Sequence, residues 1–357
     1  MKILHIAESI RGGCGTYLNE IVPLQIEDLG PHNVRLLVPD QHVSHLTRIA
    51  PSGIVTFDRP RRSTGLIHLA IKALVSIKAF RPDVLHIHST FAGAVIRLLS
   101  VLVPGKRSIV YCPHGWVFDV DQGRVSRQIL EWAERMLSLL CDRIAVISEY
   151  EFEAGIKIGI SPRKLVLVEN GISNIVLQGA ASEWRDSRLR ALFVGRLDTQ
   201  KGFDILLQAA SSLKDKVAVR IIGASINSSS IQITIPENVE MLGWKSQEEI
   251  AAQMAACDIV VIPSRWEGFG LVAVEAMRSE KAVIASRVGG LASVVVNGVT
   301  GVLVDKDSVA ELAAALVSRT RDEWFEFGRK GRARFLDRYT VDRVHRQLLE
   351  LYSSIRA

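Results

Sequence analysis

The sequence predicts an α/β protein built as two doubly wound halves, and three observations carry that prediction. The chain has 357 residues, more than one hydrophobic core usually serves. Short runs that are apolar on both faces alternate with helix-like segments, as in parallel sheets covered by helices. The alternation breaks over a small, polar stretch at 171–190 and then restarts, which marks a connector between two domains.

In the first half, the strand-like runs are MKILHIA, VRLLVP (34–39), DVLHIHS (83–89), SIVYCPHG (108–115), DRIAVIS (142–148) and KLVLVEN (164–170). Helical patterns lie between them, for example at 16–30 and 124–141. In the second half, the runs are RALFVGR (190–196), VAVRIIG (217–223), NVEMLG (238–243), DIVVIPS (258–264), KAVIAS (281–286) and GVLVD (301–305). The last segment, 322–357, reads as helical, with Phe335, Tyr339 and Val344 on one apolar stripe.

Composition narrows the class. At 48% apolar and 23% charged, the chain is globular rather than disordered. The opening MKILHIAES lacks the apolar length of a signal peptide, and no 18-residue apolar run suits a membrane span, so a cytoplasmic location is expected. Cys14, Cys112, Cys141 and Cys257 stand far apart without a CxxC and read as reduced, buried thiols. The net charge is +6, but residues 43–110 alone hold ten Lys/Arg against Asp58 and Asp83. That concentration fits an anionic partner or a solvated basic face. The segment 59–82, apolar with interspersed cations, reads either as an interfacial helix on an anionic membrane or as a packed helix with a basic outer face.

Ligands of open α/β sheets bind beyond the carboxyl ends of the strands, so the loops after the strands are the candidates. After the first run comes RGGCG, where Gly12 and Gly13 allow close backbone approach at a helix start. A dinucleotide fingerprint is incomplete there, because Leu18 stands where its third glycine belongs, although Asp40 occupies the place of a ribose-binding acid. His86 and His88 share one strand face, offer no evident third metal ligand, and read as satisfied strand-end histidines. His114, between Pro113 and Gly115 at a strand mouth, reads as functional. Asp119 and Asp121 form a DxD that reads as solvated loop acids.

The loop FVGRLDTQKGFD (193–204) offers Arg196 and Lys201, with Gly195 and Gly202 beside them. A guanidinium, an ammonium and helix amino-terminal amides can together hold a diphosphate without magnesium. In SRWEGFGLVAVEAM (264–277), Glu267 leaves a strand and Glu275 sits one turn into the following helix. A glycosidase pair would flank one bond, and a metal pair would want further ligands. The better reading places phosphate over the Gly270, Leu271 and Val272 amides, with Glu275 on a ribose diol and Glu267 on a sugar hydroxyl.

EGFGLVAVE, with GRLDTQKG upstream, NG at 170–171, PHG at 113–115 and the amino-terminal GG, resembles the family 4 glycosyltransferases of the GT-B fold over nearly the whole chain. The resemblance implies two facing Rossmann-like domains: an acceptor-binding one over 1–175, completed by a crossing helix at 338–357, and a nucleotide-sugar-binding one over 176–337. It implies a metal-free, cofactor-free, retaining hexosyltransferase using a UDP- or GDP-sugar. Arg196 and Lys201 match the diphosphate ligands, Glu275 the ribose ligand, and Glu267 with Gly268, Phe269 and Gly270 the donor-sugar ligands. Gly13 matches the glycine turn near the diphosphate, His114 the active-site histidine, and Gly243-Trp244 the base-stacking position. PHGWVF is similar to enzymes building exopolysaccharide or O-antigen on a lipid carrier. The expected partners are therefore a nucleotide-sugar donor, a glycan or lipid-linked acceptor, and an anionic membrane through 59–107, with no nucleic acid. The alternatives are a nonhydrolysing sugar-nucleotide epimerase, which needs no acceptor, and a non-enzymatic binder.

Overall fold

A computed structural model describes residues 1–59, 62–103, 105–120, 122–175, 182–224 and 234–356. Arg61, Asp121 and positions 176–181 of the expected connector lie outside them. The chain divides into Met1–Ser173 with Val341–Ala357, and Asn174–Thr340. The expected divisions were 175/176 and 337/338.

The first unit is a seven-stranded parallel sheet in the order β3-β2-β1-β4-β5-β6-β7. Its strands are β1 (Ile3–Ala7), β2 (Val34–Pro39), β3 (Ile54–Phe57), β4 (Val84–His88), β5 (Ser108–Cys112), β6 (Arg143–Val146) and β7 (Leu165–Leu167). Helices α1 (Gly13–Leu29), α2 (Arg62–Phe80), α3 (Thr90–Ser100), α4 (Arg124–Leu137) and α5 (Glu149–Lys157) connect them. The central strands β1, β4 and β5 are buried at every position, which is why they read as unbroken apolar runs. The sequence reading misses β3. Three of its four residues are partly or fully exposed at the sheet edge and only Phe57 is buried, so the run is too short and mixed to show a pattern.

The second unit is a six-stranded parallel sheet in the order β10-β9-β8-β11-β12-β13. It comprises β8 (Leu189–Val194), β9 (Val217–Ile222), β10 (Val239–Gly243), β11 (Ile259–Ile262), β12 (Ala282–Ser286) and β13 (Gly301–Val304). Its helices are α6 (Phe203–Ser211), α7 (Gln247–Ala256), α8 (Leu271–Arg278), α9 (Leu291–Val294), α10 (Val309–Leu316) and α11 (Arg321–Arg338). The end of the expected connector belongs to this unit: Trp184 is buried, and the Arg220 guanidinium lies 4.5 Å from its ring centroid.

The expected single stripe of Phe335, Tyr339 and Val344 is corrected. The helix ends at Arg338, and α12 (Val341–Ser354) begins after Thr340. Phe335 and Tyr339 are buried in the second unit, whereas α12 packs on α1 and buries Val344 in the first. The four cysteines are free and buried.

Candidate active site

In the second unit, β8 and β11 are hydrogen-bonded neighbours. From β8 the chain winds to β9 and β10 on one side, and from β11 to β12 and β13 on the other. The sheet therefore reverses between β8 and β11, and the crevice beyond such a reversal is where open α/β sheets take ligands. The two loops leaving these strands carry the predicted residues.

The β8 loop is built around Asp198, whose carboxylate accepts from the Lys201 backbone N–H (3.1 Å) and closes a single helical turn. Gly202 ends that turn at φ 64, and a Cβ there would stand 2.0 Å from the Pro263 carbonyl oxygen. Only glycine lets the two loops touch at that point. Arg196 pairs with Asp198 at 3.3 Å and donates to the Gln200 side chain. Gln200 donates to the Trp266 carbonyl (3.3 Å), and the Arg265 backbone N–H donates to the Gln200 carbonyl (2.7 Å). The Arg265 side chain binds Asp204 at 2.8 Å and Asp307 at 2.7 Å. Gln200 and Arg265 were not foreseen; they brace the two loops together.

Lys201 Nζ donates to Glu267 Oε2 at 2.7 Å, with both side chains less than a fifth exposed. The structure thus brings together two residues that lie 66 positions apart. Gly268 and Phe269 continue the loop, and Phe269 is buried edge-on against Tyr339. Gly270 caps α8 at φ 104, and Leu271 and Val272 open the helix without a side-chain cap. Glu275 lies one turn in, on the part-exposed side. The Gly289-Gly290 pair, also unforeseen, underlies this loop. A Cβ on Gly289 would stand 1.9 Å from the Glu267 carbonyl oxygen, and Gly290 N–H donates to that same oxygen at 3.0 Å. Trp244 follows β10, two strands from β8, and is 72% exposed. Gly195, unlike Gly202, would make only ordinary contacts with an added Cβ, at 3.4 Å and beyond.

In the first unit, the sheet reverses between β1 and β4. Gly12 (φ 72) precedes α1, which begins at the exposed Gly13. Buried Glu8 accepts from the Ser89 hydroxyl and from the Ala92 N–H (3.3 Å), so it ties the two loops together; sequence reading passed over it. Ser89 (φ 70) and His114 (φ 54) both hold left-handed backbone beside this crevice, a conformation that concentrates at functional sites. Asp119 accepts from Tyr150 Oη (2.8 Å), and burial raises its pKa.

The expectation that His86 and His88 have no third partner is corrected. In the β1–β4 register His5 faces His86, and a nitrogen of each of His5, His86 and His88 lies within 4.8 Å of the others. Strand order supplies His5, and sequence spacing does not reveal it. Burial lowers the pKa of all three, with His5 falling to about 4. His114 also falls to about 4 by burial. The cluster is therefore neutral at pH 7.

The outer surface of the first unit carries a further feature. α2 buries Leu69, Ala73 and Ile77 yet exposes Ile67, Ile71 and Val75 on its other side. It packs on α3, and α3 on α4. On α4, Val125, Ile129 and Trp132 each keep at least 60% of their surface exposed, and Met136 continues the stripe. The predicted helix over 59–82 is thus packed, and its outer face is apolar as well as basic; the α4 stripe was not foreseen. No helix among the described residues is long and apolar enough to cross a membrane.

Two α/β units, each a parallel sheet with its candidate loops at a sheet reversal, are the parts of a GT-B glycosyltransferase, and comparison with known proteins assigns the chain to that class. The glycosyltransferase family 4 model matches residues 11–174, and the glycosyl transferases group 1 model matches 178–334. A relative from a cps region of Klebsiella pneumoniae, an uncharacterised 41.2 kDa protein, is 31% identical over 338 residues, 91% of this chain and 92% of that one. The chain belongs to this glycosyltransferase family. The D-inositol 3-phosphate glycosyltransferase of Streptosporangium roseum is 26% identical over 319 residues, 81% of this chain and 72% of that one. Among solved structures, Anabaena Alr3699/HepE in complex with UDP-glucose shares the fold at TM-score 0.81 and 22% identity, over 99% of this chain and 100% of that one. The lipopolysaccharide outer core galactosyltransferase WaaB follows at TM-score 0.74 and 19% identity, over 99% and 100%.

Proposed function

We propose that the protein moves a sugar, with retention, from a nucleoside-diphosphate sugar to a hydroxyl of a lipid-linked glycan in surface polysaccharide synthesis. The observation that carries this reading is the convergence of Arg196, Lys201 and Glu267 at the β8/β11 reversal, beside the uncapped start of α8. Arg196, Lys201 and the Leu271 and Val272 amides face the diphosphate and stabilise the charge that grows on it as the glycosidic bond breaks. Glu267 holds the sugar, Glu275 the ribose and Trp244 the base. The departing phosphate oxygen takes the proton of the attacking hydroxyl on the same face, which preserves the anomeric configuration, and the two cations do the work of a metal. The Anabaena structures hold UDP and UDP-glucose, which supports a uridine donor, and the Klebsiella cps relative supports polysaccharide synthesis. The comparisons give the epimerase reading no support.

A panel of UDP- and GDP-sugars tests the donor: the matching one raises Tm, because a ligand that binds only the folded chain stabilises it. Turnover in EDTA and an unchanged anomeric configuration in the product are expected. An inverted product overturns the retaining mechanism, and strict dependence on added metal overturns the cation assignment.

The same proposal places the outer helices of the first unit on an anionic membrane, where the acceptor lipid resides. Ile67, Ile71, Val75, Ile129 and Trp132 enter the interface, and Lys72, Lys78, Arg124 and Arg135 meet the headgroups. In flotation with vesicles containing phosphatidylglycerol, the wild type rises with the lipid and Ile129→Asp/Trp132→Asp stays behind. Equal flotation of both, or flotation with neutral lipid alone, removes the membrane part.

A further inference from the structure

His114 ends a line of buried hydrogen bonds that crosses the first unit. Gln25 Oε1 lies 2.6 Å from His5 Nε2, His5 Nδ1 lies 3.0 Å from His88 Nε2, and His88 Nδ1 lies 2.9 Å from His114 Nε2. Gln25, His5 and His88 are at most 1% exposed. At the far end, the Gln25 amide Nε2 donates to Tyr352 Oη (3.5 Å), and Tyr352 Oη lies 2.6 Å from His86 Nδ1.

A neutral imidazole has one donor and one acceptor, so the direction of one bond sets all the others. An amide oxygen can only accept, so His5 carries its proton on Nε2 and accepts at Nδ1. His88 must then donate from Nε2 and accept at Nδ1, and His114 must donate from Nε2. His114 Nδ1 is left as a bare lone pair, with no partner among the described residues, on the part-exposed ring at the β5 mouth. In the same amide orientation Gln25 gives its N–H to Tyr352, whose own proton then goes to His86 Nδ1. The surroundings keep the line neutral. Burial raises the pKa of Tyr17, Cys14, Cys112 and Tyr352 and lowers that of all four imidazoles. The Tyr17 ring packs edge-on against His114 with centroids 4.9 Å apart.

We propose that Gln25, His5 and His88 are positioning residues that lock His114 in the tautomer with an unprotonated Nδ1, so that it accepts a hydrogen bond from a hydroxyl of the acceptor. The inference rests on the transferase reading for what His114 meets, whereas the tautomer rests on the Gln25 amide oxygen facing His5. It also accounts for the packing together of His5, His86 and His88 without a metal: apart from His86 Nε2, each nitrogen of the trio already has a partner. The function of α12 extends with it, because Tyr352 holds the Gln25 amide from that helix.

Imidazole 15N shifts of the wild-type protein read the tautomer with no substitution: Nδ1 of His114 is expected to be pyridine-like and Nε2 pyrrole-like. Two substitutions follow. Gln25→Leu removes the acceptor that fixes the direction, so the line reverses; kcat is expected to fall at least about tenfold with donor KM little changed, as a wrong tautomer costs catalysis rather than binding. Gln25→Glu restores an acceptor for His5 and is expected to recover most of that loss, together with the wild-type shifts. A merely structural Gln25 would not separate the two variants in this order. A protonated Nδ1 on His114 in a protein that turns over overturns the inference. So do wild-type kcat and shifts in Gln25→Leu, a Glu variant as impaired as the Leu variant, or stoichiometric zinc on the purified protein lost in His5→Gln. Absence of any turnover with an unprotonated Nδ1 would instead sink the transferase reading and leave the tautomer standing.

Discussion

At the scale of the residue, Lys201 is where the proposed chemistry concentrates. Its ammonium sits 2.7 Å from Glu267, on a loop whose shape is set by Asp198 and Gly202 rather than by the lysine itself. Removing the charge should therefore leave the loop standing. Lys201→Ala is expected to lower kcat about 10²–10³-fold, the usual loss for one preorganised group facing transition-state charge, with an unchanged circular dichroism spectrum. Turnover near wild type would show that the diphosphate is held elsewhere. The glycines divide by the same kind of reasoning. Gly202 has left-handed backbone and a carbonyl 2.0 Å from where a Cβ would stand, whereas Gly195 has neither. Gly202→Ala is expected to cost about 1–3 kcal/mol in denaturant unfolding, while Gly195→Ala should melt as the wild type does. A Gly202→Ala protein of full stability would mean that the loop can move apart freely.

At the scale of the element, the layer that carries the apolar outer face is fastened by an ion pair beneath it. Arg97 of α3 meets Glu134 of α4 at 2.8 Å, with side chains 0% and 3% exposed. Tyr111 of β5 donates its hydroxyl to the same carboxylate at 3.0 Å, and the Arg97 guanidinium lies 3.9 Å from the Tyr111 ring centroid. Breaking one side leaves a buried charge with no counterion. Glu134→Ala is expected to destabilise the first unit by about 3–5 kcal/mol, measured by urea unfolding, and Arg97→Met/Glu134→Leu should recover most of it. A single-substitution loss below 1 kcal/mol would mean that water reaches the pair. This pair also shows what sequence reading can and cannot reach. Strands β1, β4, β5, β11 and β12 were legible because burial on both faces leaves an unbroken apolar run. Arg196, Lys201 and Glu267 were legible because loops after strands are short and carry their chemistry close to the strand. Glu134 was not, because one acid on an amphipathic helix looks solvated until α3 is laid beside it. His5 and Gln25 were hidden for the same reason, since β1 meets β4 only through the sheet order. Trp132 sits in a helix correctly foreseen, but which side faces outward depends on packing that periodicity alone does not assign.

At the scale of the whole molecule, the charge that burial excludes should govern how stability depends on pH. His5 and His114 titrate near 4 when folded, His42 likewise, and burial places His86 and His88 well below their ordinary range. In the unfolded chain each takes up a proton near pH 6.5. Between about pH 6.5 and 4 the unfolded state therefore binds more protons than the folded one, and the free energy of unfolding falls as the pH falls. Glu151 acts in the opposite sense. Burial raises its carboxyl to about 8, against 4.5 unfolded, so the folded state keeps a proton that the unfolded state has lost, and stability falls as the pH rises through that range. Five imidazoles outweigh one carboxyl until the unfolded histidines have lost most of their protons, at about pH 7; above that Glu151 dominates, until at about pH 8.5 the buried thiols begin to act in the same sense. The five imidazoles and Glu151 lie in the first unit. The expected profile, measured by urea unfolding across the pH range, is a maximum at about pH 7, a steep acid limb and a shallower alkaline one. Glu151→Gln should flatten the alkaline limb and steepen the acid limb above about pH 4.5, because the carboxyl no longer offsets one of the protons taken up by the imidazoles. His5→Gln should make the acid limb shallower, because one proton fewer is taken up on unfolding. An acid limb of the same slope in His5→Gln would show that His5 is already charged in the folded protein, and the neutral line to His114 would fall with it.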